Sequence, residues 1–257
     1  MAERLLPVEM VALAFAYAVL TWRRSKRSSN PIELGRATCF MVGLCVLALA
    51  LVSPIDAESA NALSWHMVQH LLIISVAAPL LAVGRPVELL FETLPYRLTA
   101  RRVEWHATWG MGVAGVAALA TLVVWHVPTL YQAALSSEPA HIVEHATLLL
   151  TSMWLWAALI SAETLGVSVV WLFVLTLPTT AFGVAMTIAR TPWYSDYVRT
   201  TRADAVSDQQ LAGVVMWAFG GLAALAGGIA LFATWLTSGS SATTHDARPS
   251  TNAAPTC

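Results

Sequence analysis

The sequence predicts an all-α integral membrane protein, a bundle of about seven transmembrane helices. Composition is the first reason. Hydrophobic residues make up 57% of the chain and charged residues 11%, whereas soluble domains carry about a quarter charged residues. The second reason is run length: a helix needs about 20 apolar residues to cross the hydrocarbon core. Stretches of that kind fall at 5–22, 36–53, 64–83, 107–126, 141–161, 166–187 and 209–236. The third is the lack of strand-like alternation, since an open sheet cannot sit in lipid.

The first stretch starts at Leu5 and is followed, not preceded, by Arg23-Arg24-Ser25-Lys26-Arg27. That order reads as a retained span and not as a cleaved signal peptide. By the positive-inside rule the basic cluster stays in the cytoplasm. The next cytoplasmic loop then holds Arg85, Arg97, Arg101 and Arg102, and the external loops 54–63 and 127–140 contain no Lys or Arg. The loop 188–208 dissents with Arg190, Arg199 and Arg202, alongside Asp196, Asp204 and Asp208. The balance predicts a multi-pass plasma-membrane protein with an external N-terminus and a cytoplasmic C-terminus. Pro128 should end the fourth span, and Pro79 and Pro178 should kink the third and sixth. Gly220, Ala224 and Gly228, like Gly110, Ala114 and Ala118, are spaced for close helix approach. Residues 1–236 form the transmembrane domain, and 237–257, rich in Ser, Thr, Ala and Pro, read as a disordered polar tail. A net charge of −1 without a basic stripe gives no footprint for nucleic acid; membrane lipid is the expected surroundings. Cys39, Cys45 and Cys257 form no CxxC pair, which speaks against a disulfide framework or a thiolate site.

The chemistry lies in the histidines. His66 and His70 form one i,i+4 pair, and His141 and His145 form another. Each pair projects both imidazoles from one helix face, about 6 Å apart along the axis. The predicted topology brings both pairs, with His126, to the external end of the bundle, whereas His106 falls on the cytoplasmic side. An ionisable group inside a bilayer is costly and marks function by default. Five imidazoles at one level point to a shared metal or cofactor site.

Imidazoles suit copper, zinc, iron or nickel. Met67, Met186 and Met216 stand near the same level as soft ligands that lean toward copper, although ordinary core filling is the commoner fate of methionine. Gln69, Glu144, Asp208 and Gln209 are placed to orient imidazole N–H groups from behind, or to serve as helix caps. Two other chemistries fit the same letters. His141-x-x-Glu144-His145 matches the inverted zinc-protease motif, with Glu144 as general base. Paired histidines also ligate haem between helices. A fourth reading is a scaffold whose histidines only tie helices together.

Motif order narrows these readings. Ser53-Pro54-Ile55-Asp56 precedes Trp65-His66-Met67-Val68-Gln69-His70-Leu71-Leu72. Trp125-His126-Val127-Pro128-Thr129-Leu130-Tyr131 and His141-Ile142-Val143-Glu144-His145 come next, and Ser207-Asp208-Gln209-Gln210-Leu211-Ala212-Gly213 runs on to Met216-Trp217. This succession resembles the multi-span CtaG-type cytochrome c oxidase assembly factors over roughly 53–217. The stretch Met153-Trp154-Leu155-Trp156-Ala157-Ala158 departs from the aromatic, proline-ended stretch that relatives often have there. The resemblance implies a bacterial plasma-membrane protein that helps to make active haem-copper oxidase, with copper handling as its usual interpretation and the oxidase subunits as partners. It implies His66, His70, His126, His141, Glu144, His145, Asp208 and Gln209 as the matched site positions. The resulting expectation is a non-catalytic copper-binding factor, with the two histidine pairs as ligands and His126 as an extra or transfer ligand.

Overall fold

The computed structural model describes residues 6–27, 34–93, 107–161, 165–194 and 205–245, and every regular element among them is helical. The elements are α1 (Leu6–Arg27), α2 (Leu34–Val52), α3 (Pro54–Ser59), α4 (Leu63–Leu71), a π-helical segment Leu72–Ala77, α5 (Ala78–Val83) and α6 (Pro86–Thr93). They continue with α7 (Ala107–Trp125), α8 (Pro128–Ser136), α9 (Glu138–Ser161), α10 (Leu165–Ile188), α11 (Ala205–Val214), a second π-helical segment Val215–Phe219 and α12 (Gly220–His245). All seven expected spans are helical. Five helices are long and apolar enough to cross a membrane, and a sixth is added if α7 and α8 count as one bent span. The first expected span, α1, is not among them, because Glu9 near its start and the basic cluster at its end shorten the apolar window. The last helix continues past 236 to His245, and 246–257 lie outside the described residues. So do Arg97, Arg101, Arg102, His106, Asp196, Arg199, Arg202 and Asp204.

Pro128 acts as expected. It sits in the first turn of α8, Val127 before it is extended (φ −66°, ψ 125°), and the chain turns through 74° between α7 and α8. Pro178, by contrast, lies inside α10 with helix assigned on both sides. Pro79 opens α5 immediately after the first π-helical segment, where the wider turn accommodates a residue that cannot donate a backbone hydrogen bond.

The bundle has the inside-out character of a lipid-embedded protein. Leu177 (67% exposed), Leu222, Ile229 and Leu150 face outward, while His66, Gln69, Glu144 and Asp208 are buried. Three apolar clusters hold the helices together. Tyr17, Phe40, Leu47, Ile73 and Leu81 join α1, α2 and α5. Leu63, Met67, Tyr131, Met186, Tyr194 and Met216 join α4, α8, α10 and the second π-helical segment. Met111, Trp156, Leu172, Ala224 and Leu231 join α7, α9, α10 and α12.

Among the described glycines, the closest approach to another helix's backbone was not at the spaced small residues singled out from the sequence. Gly220 and Gly228 make ordinary contacts, with space for a Cβ at 3.5 Å or more from its neighbours. Gly213 in α11 instead lies directly on the α10 backbone at Gly183 and Thr187. At the end opposite the histidine pairs, Arg24 and Glu92 form an ion pair (2.9 Å) that ties α1 to α6.

Candidate metal centre

The helix carrying the first histidine pair is capped from a distance. Ala62 precedes α4 and has no capping side chain. Asp208 of α11 fills the role: its carboxylate accepts from Leu63 N–H (2.7 Å), Ser64 N–H (3.3 Å) and the Ser64 hydroxyl (2.6 Å). These are the orphan donors of a helix N-terminus, where a negative group is also favoured by the dipole. Asp208 therefore positions His66 and His70 through the backbone and does not orient an imidazole. Asp208→Ala should cost about 1–2 kcal/mol, as cap removals do, read as a lower midpoint of thermal unfolding in detergent.

The other polar residues expected behind the imidazoles also bind backbone. Gln209 accepts from Trp193 N–H (2.6 Å) and donates to the Thr191 carbonyl (3.2 Å), fastening the segment after α10. Gln69 donates to the Ala50 carbonyl (3.0 Å) and to Asp56 (2.6 Å). Ser53 caps α3, accepting from Ile55 N–H (3.1 Å), and Pro54 occupies its first turn. The Ser53–Asp56 motif is thus a clamp that fixes α4 against the end of α2.

All five imidazoles meet at one end of the bundle. Ring centroids are 4.3 Å apart for His66 and His70 and 4.2 Å for His141 and His145. Between helices they are 5.4 Å for His70 and His145, 5.9 Å for His66 and His141, and 6.2 Å for His70 and His126. Within this set His66, His70, Glu144 and His145 each offer a ligand atom, and these atoms all lie within 4.8 Å of one another. Glu144 Oε1 is 3.5 Å from His70 Nε2 and 3.8 Å from His66 Nε2. The carboxyl expected to stand behind the imidazoles lies among the candidate ligand atoms themselves.

Nothing else in the described residues satisfies these groups. Both ring nitrogens of His66 and His70, both Glu144 oxygens and His145 Nε2 are buried without a hydrogen-bond partner. Orphaned polar groups each cost about 1–3 kcal/mol, so so many in one place fit a site built for a cation. Three imidazoles and a carboxylate are a ligand set that first-row metals accept. The rings meet at tilted or T-shaped angles and are not stacked in parallel.

His126 and His141 flank the quartet on different sides. His126 is buried, its Nδ1 donates to the Leu122 carbonyl (2.7 Å), and its ring meets Phe182. Tyr194 donates from its hydroxyl to the His126 carbonyl (3.0 Å); burial pushes that phenol well above its usual range, so it stays a donor. His141 is half-buried, one turn from the exposed Glu138. Tyr131, which residue type alone did not single out, is fully buried with its ring 4.9 Å from His66. Met67, Met186 and Met216 belong to the apolar cluster around Tyr131 and Tyr194 and not to the four-ligand group.

The model of the cytochrome c oxidase caa3 assembly factor family matches residues 13–238, which takes in every histidine motif and all but the ends of the helical bundle. The chain belongs to that family. Comparison with curated proteins and with solved structures returned no match. The assembly factor therefore carries, within its membrane domain, a buried His/Glu cluster of a kind compatible with metal binding.

Proposed function

We propose that this assembly factor holds copper as cargo at the extracytoplasmic side of the bacterial plasma membrane and passes it to a cytochrome c oxidase subunit during assembly, without catalysing a reaction. The observation that carries this reading is the convergence of His66, His70, Glu144 and His145 ligand atoms within 4.8 Å, fully or nearly buried, from two separate helices. Copper follows from the donor set. At a given nitrogen and oxygen site Cu²⁺ binds most tightly of the first-row divalent ions. A carboxylate ligand, with no thiolate or thioether in the group, favours that ion over Cu(I). The external placement is supported by the basic residues Arg24 and Arg85, which sit at the end of the bundle away from the imidazoles.

In this reading the flanking histidines have different work. His141 is the less buried of the two as a residue, although its Nε2 is buried, and in this reading it exchanges the ion with partners. His126 is buried, which speaks against a transfer role for it.

The test is metal content. Protein purified in detergent, stripped with chelator and reloaded with Cu²⁺ should retain one tightly held ion per chain. The combined His66→Ala, His70→Ala and His145→Ala variant should retain none. Unchanged copper stoichiometry in that variant, with helical content preserved, would remove the site. His141→Ala should keep the stoichiometry but slow copper extraction by an external chelator by about tenfold, as expected when an outlying ligand governs exchange and not affinity. An unaltered extraction rate would take the exchange role away from His141. In cells lacking the protein, the oxidase should be copper-poor at limiting copper.

A further inference from the structure

A cavity of about 140 Å³ lies on the buried side of the histidine cluster, walled by α4, α7, α9, α10 and the start of α12. His70 and His126 bound one end of it, and Ser152 and Trp156 line it further along α9. The rest of its wall is mainly apolar, with Ser75, Thr176 and Thr179 as further hydroxyl residues; the hydroxyls of Thr176 and Thr179 are given to the Leu172 and Thr176 carbonyls. Its size is close to that of an engineered cavity of about 150 Å³ that binds benzene, so one six-membered ring fits. Ile74 and Thr179 in its wall are only half-buried, which leaves the cavity partly open to the lipid-facing surface.

The polar groups define what the ring must carry. His126 is 6% exposed, and its Nδ1–H is given to the Leu122 carbonyl, which leaves Nε2 as an acceptor. That nitrogen has no partner. Ser152, 4% exposed, offers a hydroxyl at the far side. It lies seven residues beyond His145 on α9, about 10 Å along the helix. A ring with oxygens on opposite edges can offer one hydrogen bond to the His126 end and another to Ser152 further along α9. Charge is excluded by the cost of placing it within the bilayer.

We propose that this cavity binds the head group of a membrane quinol, a neutral ring with two para hydroxyls, one donated to His126 Nε2 and the other hydrogen-bonded to Ser152. The acceptor state of Nε2 favours the hydroquinone over the quinone at that end. Arrival from the bilayer needs no aqueous path, because the open flank faces lipid. The site is separate from the proposed copper ligands except for His70, which borders both.

The experiment uses chelator-stripped protein, so its outcome does not depend on the copper reading. Durohydroquinone, duroquinone and 1,2,4,5-tetramethylbenzene are titrated anaerobically into the full chain in detergent, with tryptophan fluorescence as the readout. Durohydroquinone should bind saturably at one per chain, about tenfold tighter than duroquinone, the size of effect one buried hydrogen bond supplies. Ser152→Ala should weaken it by a similar factor, and Ala223→Phe, which fills the cavity, should abolish it. Tetramethylbenzene binding as tightly as the hydroquinone would overturn the proposal in favour of a simple apolar fill. So would an unchanged affinity in Ser152→Ala, which decides the matter even if Ala223→Phe fails to fold.

Discussion

Glu144→Gln is expected to lower copper affinity by about a hundredfold or more while leaving the metal-free protein as stable as before, or more so. Four-ligand protein sites bind ions with about 10–16 kcal/mol, so one ligand accounts for roughly 3 kcal/mol, or a factor of about a hundred. The stability side follows from burial. Glu144 is fully buried, and neither oxygen has a hydrogen-bond partner. Glutamine keeps its shape, removes the anionic donor, and brings an N–H₂ group within reach of His70 Nε2 and His66 Nε2, now 3.5 and 3.8 Å from Oε1. An orphaned buried acceptor costs about 1–3 kcal/mol, and the amide relieves part of that. Copper affinity and the thermal midpoint of stripped protein therefore move in opposite senses, a trade-off common at functional sites. The same variant separates the competing readings. If Glu144 were the general base of a zinc hydrolase, Glu144→Gln would keep its metal and lose cleavage. If the cluster were only a helix tie, the substitution would lower stability and leave metal content without meaning.

Gly213→Val is expected to be the most damaging single substitution away from the ligands. A Cβ at Gly213 would stand 2.5 Å from the Gly183 carbonyl oxygen and 2.7 Å from the Thr187 nitrogen. Both are backbone atoms of α10 and cannot rotate aside. Gly183 faces the same constraint in return, with the Gly213 carbonyl 3.0 Å from its own would-be Cβ. Overpacking of this kind costs about 3 kcal/mol, and in this fold the damage spreads. Forcing α11 from α10 withdraws Asp208, five residues earlier, from Leu63 and Ser64, and so loosens the turn that aims His66 and His70. Loss of folded monomer on heating and loss of copper should appear together. Gly221→Ala is the control: nothing lies within 4 Å of that position, and a helix gains about 0.5–1 kcal/mol from alanine over glycine. A Gly213→Val protein that stays folded and loads copper normally would show that this contact does not support the site.

Much of this protein was legible along the chain. The seven long apolar runs became helices, and Pro128 broke the chain where its chemistry requires. The two i,i+4 pairs met because the third and fifth spans run in the same direction and each pair sits in the first turns of its span. The points left open share one cause. Glu144, Asp208, Gln209 and Gln69 were all polar residues near the right level, and level alone cannot say where a side chain points. Glu144 turned in to the imidazoles, whereas Asp208 turned to the start of α4, Gln209 to the segment after α10, and Gln69 to the Ala50 carbonyl and Asp56. Met67 went to the core for the same reason, since a residue one position from a histidine lies about 100° around the helix.

Periodicity, composition and spacing are one-dimensional signals, and they were sufficient for helix positions, lipid exposure and the identity of the imidazole pairs. Whether Glu144 is a ligand, which histidine stays reachable, and how closely α10 and α11 approach depend on the rotation of each helix about its axis. That rotation is set by packing between segments far apart in the chain, such as Asp208 on Leu63 and Gly213 on Gly183. It leaves no trace in local sequence, because in a lipid-facing bundle nearly every face of every helix is apolar.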